Sequence, residues 1–273
     1  MTTSTDRPVA DVESANIARI YDYYLGGLYN FEVDRQKAER IRSMLPSVDL
    51  LARANRDWLR RTVRFLLAQG VDQFVDIASG LPTMGNVHEV AHARNPRARV
   101  VYVDHEPSAV LHGEEILADE PLVAMIEADG RFPERIWEHP RVRELIDLSR
   151  PVGILMGGLL VFVEDKDDPA ALVAAYRDAC APGSYLALSH LSDDLADPET
   201  RAQVGRMTDA YLAGVGQQLY ARPKEVIASW FEGMDLVEPG LTLMADWHPT
   251  PGQAVDAQTP SRVLGYGATA RIR

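Results

Sequence analysis

Cysteine is almost absent from the 273-residue chain, because Cys180 is its single example. One cysteine cannot build a disulfide framework within a chain, so the sequence fits a reducing compartment and predicts a cytoplasmic location. No histidine lies near Cys180 in the sequence. We therefore expect a buried structural thiol at this position and not a nucleophile.

Long apolar runs are also missing. The longest, from Pro151 to Val163, falls short of the roughly 20 residues that a membrane span requires. Residues 1–14 are polar and lack the charged start and apolar stretch of a signal peptide. The sequence therefore predicts no membrane partner and no secretory leader.

Basic residues are fewer than acidic residues, at 28 against 40, and the net charge is −12. Phosphate backbones attract basic surfaces, so this balance disfavours a nucleic-acid partner and favours a small-molecule substrate. The H-E-x-x-H and C-x-x-C spacings of common zinc sites do not occur, so we expect no metal site and interpret Asp193-Asp194 as a polar loop. The oligomeric state stays open, with a homodimer among the options.

Alternating strands and helices account for most of what the chain does contain. We expect a disordered, polar tail over residues 1–15. Apolar spacing then predicts three helices, at 16–25, 33–44 and 48–69. Strands are then predicted at 73–78, 99–104, 122–127, 152–156 and 184–190, and helices between them at 84–94, 107–117, 133–148 and 169–180. Helices at 198–213 and 223–232, strands at 236–238 and 262–271 and a loop at 247–260 complete the prediction. This order predicts an α/β fold with a mostly parallel sheet, as one domain over 16–273 with a helical cap (16–70) and a core (71–273).

The turn after the first predicted strand contains Asp76, Ala78, Ser79 and Gly80. Ligands of open parallel sheets bind beyond the carboxyl ends of the strands. A dinucleotide site would have G-x-G-x-x-G here, which is absent, and a triphosphate site would have a lysine directly after Gly85, where the chain has asparagine. S-adenosylmethionine carries no phosphate and needs a tight turn, backbone N–H groups and an acidic residue for its ribose. Of the three ligands, it fits this turn best.

Further candidate cofactor residues follow the next strands. Asp104 ends the second strand, where it either accepts hydrogen bonds from the ribose hydroxyls or caps the next helix, and we include its neighbour His105 in the site. After the third strand, Asp129 and Gly130 either contact the adenine amine or form a turn. Met156 and Gly157 end the fourth strand, where a small residue leaves room for a ligand or serves helix packing.

The whole pattern resembles the class I, Rossmann-like S-adenosylmethionine-dependent methyltransferases, and more narrowly the actinobacterial S-adenosyl methyltransferase family formerly catalogued as a domain of unknown function. The segments that carry the resemblance are ARIYDYYLGG at 18–27, DIASGLPT at 76–83, GNVHEV at 85–90, VYVD at 101–104 and PGSYLALSH at 182–190. The resemblance implies a seven-stranded sheet with an antiparallel last strand, and N-terminal helices that cover the cofactor. Ala78 departs from the family, which usually has a glycine there, and we expect its methyl group to weaken or shift cofactor binding without abolishing it.

Aromatic residues and glycines of the cap complete the predicted cofactor site, namely Tyr21, Tyr23, Gly26 and Gly27. A sulfonium cation is attracted to aromatic faces, so we expect Tyr21 or Tyr23 to close over it, although tyrosines at helical spacing are also common in cores.

Two histidines are the candidate catalytic residues. His190 ends the fifth strand and His88 follows the cofactor turn. Either could act as a general base if the acceptor arrives protonated. The alternative for His190 is that it only satisfies neighbouring backbone groups, and the alternative for His88 is that it orients the cofactor loop.

Three functions remain open on these residues. The first is an S-adenosylmethionine-dependent methyltransferase acting on a small molecule. The second is an enzyme that uses the same cofactor for cyclisation or aminocarboxypropyl transfer. The third is a non-catalytic protein that binds the cofactor or its demethylated product.

Overall fold

The computed structural model describes residues 13–83, 85–250 and 259–273. Most of the predicted tail (1–15) and of the predicted loop at 247–260 therefore lies outside the described residues, as does Met84. The strands are β1 (Gln73–Ile77), β2 (Arg99–Asp104), β3 (Val123–Glu127), β4 (Gly153–Gly157), β5 (Tyr185–Leu191), β6 (Met234–Leu236), β7 (Thr242–Leu243) and β8 (Gly265–Ile272). The helices are α1 (Ile17–Leu25), α2 (Glu32–Met44), α3 (Val48–Ala68), α4 (Val87–His92), α5 (Pro107–Ile116), α6 (Pro133–Glu138), α7 (Pro140–Leu145), α8 (Pro169–Asp178), α9 (Pro198–Val215) and α10 (Lys224–Ser229).

The strands form a single sheet in the order β3-β2-β1-β4-β5-β8-β6, with β7 paired to β8. Strands β1 to β5 are parallel and β8 runs antiparallel to β5, as the resemblance implied. The short β7 makes eight strands instead of the expected seven. Strand order reverses between β1 and β4, and this switch point is where a parallel sheet opens a crevice for ligands.

Both faces of the sheet are buried, because its strands are nearly continuous apolar runs. One face contacts α3, α4 and α5 through a cluster that contains Trp58, Phe74 and Trp247. The opposite face contacts the segment from α6 to α8 through Val75, Ile77 and their neighbours. The result is a three-layer sandwich with the carboxyl ends of β1 to β5 at one edge.

A third apolar cluster lies above that edge. It joins α1, α2 and the first half of α3 to α9 through residues such as Ile20, Ile41 and Met207. Asn16 begins α1 by accepting a hydrogen bond from Arg19 N–H, and Gly26 ends it in the left-handed region at φ 83°. The second half of α3, in contrast, packs on the sheet face.

Several predicted boundaries are wrong. The helix expected over 133–148 is two short helices, because Pro140 lacks an N–H and His139 before it is extended. The helix expected over 84–94 begins only after Asn86, and the last strands lie at 234–236 and 265–272. Cys180 is buried as predicted, and burial raises the pKa of its thiol to about 12. In the part of the chain that the structure describes, no helix is long and apolar enough to cross a membrane.

Candidate functional site

A cavity of about 390 Å³ lies at the carboxyl edge of the sheet, beneath α1, α3 and α9. Of the sequence-predicted site residues, the structure brings the following to its wall: Tyr21, Asp76, Ala78, Ser79, Gly80, Asp104, His105, Asp129, Gly130, Gly157 and His190. These residues come from α1 and from the ends of five strands, so the parallel topology gathers positions that are far apart in sequence.

The turn after β1 is held in an unusual backbone conformation. Ala78 lies at φ 56° and Gly80 at φ 64°. Glycine adopts such positive φ angles at little cost in free energy, whereas a residue with a Cβ, such as Ala78, is strained there by roughly 1–2 kcal/mol. The N–H of Ser79 donates to Val103 O over 3.1 Å, which ties the turn to β2. Strain of this kind is typical of sites where a ligand approaches the backbone closely.

Asp104 fixes the same turn from the end of β2. Its Oδ2 accepts the Gly80 N–H over 2.8 Å and its Oδ1 accepts the Glu106 N–H over 3.0 Å. Burial raises the pKa of Asp104, although both hydrogen bonds oppose that rise. Each oxygen keeps a second lone pair, so the carboxylate has acceptor capacity left for hydroxyl groups of a ligand. His105 lies beside it, with Nδ1 3.6 Å from Oδ1 of Asp104.

Asp129 and Gly130 form the wall after β3. Burial of Asp129 favours its neutral form, but hydrogen bonds from Arg131 outweigh that effect and lower its pKa. The carbonyl of Gly130 accepts the Tyr176 hydroxyl over 2.8 Å. The Asp129 carboxylate already accepts hydrogen bonds from Arg131, so an amine of a ligand would have to bind it alongside that guanidinium.

Asp76 and Arg56 are two buried charged residues of the cavity wall, at 2% and 5% exposure. Asp76 Oδ2 and Arg56 Nε lack hydrogen-bond partners in the structure. Burial raises the pKa of Asp76 to about 7, with Arg56 opposing the rise and Asp104 adding to it. A buried polar atom without a partner is rare in proteins, and a ligand is one way to satisfy it.

A hydrogen-bonded chain crosses the middle of the cavity wall. Ser189 Oγ donates to Asn55 Oδ1 over 2.6 Å, and Asn55 Nδ2 donates to Gly157 O and to the Tyr21 hydroxyl, over 3.2 and 3.1 Å. The Tyr21 hydroxyl in turn donates to Ala52 O over 3.0 Å, and burial raises the pKa of Tyr21. These bonds hold α1, α3, β4 and β5 together around the cavity, and burial keeps the Tyr21 phenol protonated.

His190 lies at the end of β5, where its Nε2 is 3.3 Å from Nη1 of the buried Arg222. A guanidinium can only donate, so Nε2 accepts and the single proton of the neutral ring is on Nδ1. Burial lowers the pKa of His190 to about 3, and the Arg222 charge contributes to that fall. In this arrangement the ring has no free lone pair, which argues against the predicted role as a general base.

Five predicted site residues lie away from the cavity wall. Tyr23 points to α2, where its hydroxyl donates to Glu39 over 2.7 Å, and Met156 is packed in the sheet core. His88 faces the sheet, with Nδ1 2.8 Å from the Tyr102 hydroxyl. Gly26 and Gly27 end α1, and Gly27 packs on the Asp22 carboxylate. The helical direction of α1 and α4 explains the placements of Tyr23 and His88, because neighbouring residues on a helix face different sides.

Asn55 and Arg56 are cavity residues that the sequence pattern did not reveal. A usable signal existed for Arg56, since it shares the apolar face of α3 with Ala52, Leu59 and Val63. A charged residue within an apolar stripe is seldom buried without a partner. No comparable signal marks Asn55, whose role depends on strands more than 100 residues later.

The charges of the cavity wall lie on one side. The part of the wall formed by Arg56 and by the residues that follow β1 to β3 is called the charged half. It contains Asp76, Asp104, Glu106, Asp129 and Arg131. The apolar half is the part after β4 and β5 and along α9, lined by Val161, Phe162, Val163, His190, Leu191, Met207, Tyr211, Val215, Gln217, Leu219 and Leu264. Among these described residues of the apolar half there is no Asp, Glu, Lys or Arg.

Comparisons with known proteins agree with this geometry. A family model described as S-adenosyl methyltransferase matches residues 3–273. A solved candidate methyltransferase from Thermobifida fusca YX is 41% identical, with a TM-score of 0.88 over 96% of this chain and 97% of that one. A DUF574 family protein from Streptomyces avermitilis MA-4680 is 36% identical, with a TM-score of 0.89 over 96% and 99%.

A more distant structure shares the fold alone. It is the Burkholderia thailandensis 1,6-didemethyltoxoflavin-N1-methyltransferase, which is 15% identical, with a TM-score of 0.50 over 98% of this chain and 93% of that one. A comparison with curated proteins gives no match.

Proposed function

We propose, since this chain belongs to the S-adenosyl methyltransferase family, that its methyl acceptor is a small apolar molecule. The chain is an S-adenosylmethionine-dependent methyltransferase. When bound, S-adenosylmethionine supplies an electrophilic methyl group on a sulfonium sulfur. The remaining question is which molecule the apolar half is built to receive.

The charged half suits this cofactor. Asp104 has spare acceptor capacity beside the strained turn at Ala78 and Gly80, which fits a ribose. Asp76 Oδ2 and Arg56 Nε are buried atoms that a polar ligand would satisfy. We assign to the cofactor Tyr21, Asp76, Ala78, Ser79, Gly80, Asp104, His105, Asp129, Gly130 and Gly157, all of which line the cavity.

The lack of charge in the apolar half is the observation that supports a small apolar acceptor. It lies beneath α1 and α9 and contains no charged residue among those described, so an acceptor phosphate or carboxylate would find no countercharge there. A total volume of about 390 Å³ is within the range of small-molecule sites. The net charge of −12 further disfavours a nucleic-acid acceptor.

The chain's own residues contribute orientation and exclusion of water more than proton transfer. The chain of bonds through Asn55 fixes the middle of the wall, and the lone pair of His190 Nε2 is directed to Arg222. Holding two reactants in line can supply most of the acceleration of a methyl transfer. An acceptor that attacks with a free lone pair would therefore suit this site.

Other properties inferred from the sequence remain our proposals. They are a cytoplasmic location, an actinobacterial source, one domain over 16–273 divided near residue 70, and function without a nucleic-acid or membrane partner. A homodimer remains one option for the oligomeric state.

Methyl-labelled S-adenosylmethionine provides the test. Incubation with separated small-molecule, protein and RNA fractions of a bacterial extract should place the label in the small-molecule fraction. Met207→Trp would fill the apolar half from α9, so we expect it to abolish that transfer while the Kd for S-adenosylhomocysteine changes less than about twofold.

Leu212→Trp is the matched control, because Leu212 lies on the outer side of the same helix at 48% exposure. It should leave both transfer and binding unchanged. Label that enters RNA or protein instead would refute a small-molecule acceptor.

A further inference from the structure

Two segments without α-helix or β-strand form part of the wall of the apolar half. The first, 160–163, contains a short 3₁₀ turn after β4, and the second, 217–223, joins α9 to α10. Four of their residues line the cavity, namely Val161, Phe162, Val163 and Leu219. Irregular segments open more readily than packed helices and strands unless other groups hold them. The shape of the apolar half therefore depends on what fixes these two segments.

The side chain of Arg222 connects the second segment to the first. It is buried, at 5% exposure. Its Nη1 donates to Leu160 O over 2.9 Å, and its Nη2 donates to Val163 O over 2.6 Å. The two carbonyls flank residues 161–162, so one guanidinium holds the first segment at both of its ends.

Backbone hydrogen bonds of the second segment reinforce this connection. The Tyr220 N–H donates to Val161 O over 2.8 Å, and the Arg222 N–H donates to Leu191 O over 3.1 Å. Leu191 is the last residue of β5 and lines the apolar half. The two segments and the end of β5 therefore form one hydrogen-bonded unit.

The Arg222 guanidinium uses all five of its N–H groups. Besides the two carbonyls, Nη1 donates to His190 Nε2 over 3.3 Å, and Nε and Nη2 donate to Asp165 Oδ1 over 3.0 and 2.8 Å. Its Cζ also lies 5.4 Å from the ring centroid of Tyr220 and 5.5 Å from that of Trp230. Arginine alone among side chains offers five donors in a planar fork. None of these partners belongs to the charged half.

Arg222 lies behind the cavity wall, because the described residues that line the cavity do not include it. It therefore acts on a ligand only through the residues that it holds. Its partners all lie on the acceptor side, so its effect should be confined to that side. An arginine that served only the stability of the fold would affect both halves alike.

We propose that Arg222 is the positioning residue of the acceptor site. It holds 160–163 and 217–223 against the end of β5, so that the apolar half has its shape before an acceptor arrives. Such preorganisation lowers the entropic cost of binding. The inference rests on the proposed function, because it takes the apolar half as the place of the methyl acceptor.

Fluorobenzene is a neutral, apolar probe that tests this role without a known acceptor. Fluorine NMR on the full chain saturated with S-adenosylhomocysteine should show saturable binding to wild type and none to Met207→Trp. In Arg222→Met and Arg222→Gln the Kd for fluorobenzene should rise at least about fivefold, while the Kd for S-adenosylhomocysteine changes less than about twofold. Arg222→Lys offers three donors in place of five, so it should restore part of the affinity.

Two further variants complete the comparison. Arg206→Met changes an exposed arginine of α9 and should keep both wild-type affinities. Asp165→Ala keeps Arg222 and removes only its acidic partner, which is 87% exposed. This milder change should weaken fluorobenzene binding about twofold, and it decides the question if the Arg222 variants do not fold.

Methyl transfer provides a second readout. With a dilution series of the small-molecule fraction as acceptor, Arg222→Met should raise the half-saturating amount and keep the rate at saturation within about threefold of wild type. Unchanged fluorobenzene affinity in both Arg222→Met and Arg222→Gln would overturn the positioning role, as would equal weakening of both ligands or a wild type that does not bind fluorobenzene. Label that enters RNA or protein would refute the proposed function alone, because the fluorobenzene measurement involves no acceptor.

Discussion

At the scale of single residues, Asp76 shows a conflict between stability and binding. Its carboxyl group is buried with a pKa of about 7, whereas an ordinary aspartate has a pKa near 3.8. As pH rises from about 4 to 7, the unfolded chain loses this proton while the folded protein retains it. Ionisation of Asp76 therefore destabilises the ligand-free protein progressively over that range, by at most about 4 kcal/mol above pH 7.

Asp76→Asn removes the ionisation and keeps the shape. We expect the ligand-free variant to melt several degrees above wild type at pH 8 and at the same temperature at pH 4, while its affinity for S-adenosylhomocysteine falls at pH 8. Thermal melts at both pH values test this. The control variant Asp119→Asn changes an exposed acidic residue, and it should melt at the wild-type temperature at both pH values. Equal melting temperatures of wild type and Asp76→Asn at pH 8 would contradict the argument.

The residues at the strand ends were predictable from the sequence, because their position in an alternating chain determines where they meet. Asp76, Gly80 and Asp104 line the cavity for that reason. His190 was predictable as a wall residue but not in its protonation, since Arg222, which contributes to its neutral ring, lies 32 positions later. Contacts of this kind depend on the tertiary packing that no local pattern contains.

At the scale of elements, hydrogen bonds join the end of α1 to the segment that follows β1. The Asp22 carboxylate accepts hydrogen bonds from the Thr83 hydroxyl, from Tyr29 N–H and from Asn30 Nδ2, the last two over 2.9 Å. Gly27 packs directly on this carboxylate, whereas Gly26 faces open space. The two neighbouring glycines therefore serve different purposes.

Alanine substitutions should distinguish the contributions of Gly27 and Gly26 to stability. A Cβ at Gly27 would overlap Asp22 and disrupt its bonds, so Gly27→Ala should lose roughly 2–4 kcal/mol of unfolding free energy. Gly26→Ala should lose about 1 kcal/mol, because only its φ of 83° is unfavourable for alanine. Urea unfolding measures both. Equal losses would show that Asp22 does not constrain this segment.

Most helices and strands followed from apolar periodicity, and β2 was predicted with both of its bounds. The failures were short elements. The break at His139 and the two-residue β7 involve too few residues to produce a period, and their conformation depends on neighbours in the sheet.

At the scale of the whole molecule, a half-buried stretch of the cavity wall contrasts with a strand of the sheet that lies outside the wall. Strand β8 is hydrogen-bonded on both sides within the sheet, whereas residues 15–18 at the start of α1 line the cavity directly. A ligand in the charged half should therefore protect residues 15–18 most, because buried sheet strands already open only rarely.

Hydrogen exchange measured by mass spectrometry tests this expectation. With saturating S-adenosylhomocysteine, amide exchange should slow at least several-fold in peptides covering residues 15–25 and remain unchanged in peptides covering 266–272. Tyr23→Phe, which removes the hydroxyl bond to Glu39 away from the cavity wall, is a control that should retain the protection. Slowing of equal size in both regions would indicate a global change in stability instead.

The packing of α2 against α9 has a consequence for how the protein is made. Helix α2 leaves the ribosome early, yet the apolar surface that covers it belongs to residues 198–215 and is synthesised some 150 residues later. Until then, only α1 and α3 can cover Ile41 and its neighbours, and the side of α2 that packs on α9 stays exposed. The cavity can therefore close only after α9 has been synthesised, so until then the nascent chain is most vulnerable to aggregation through α1 and α2.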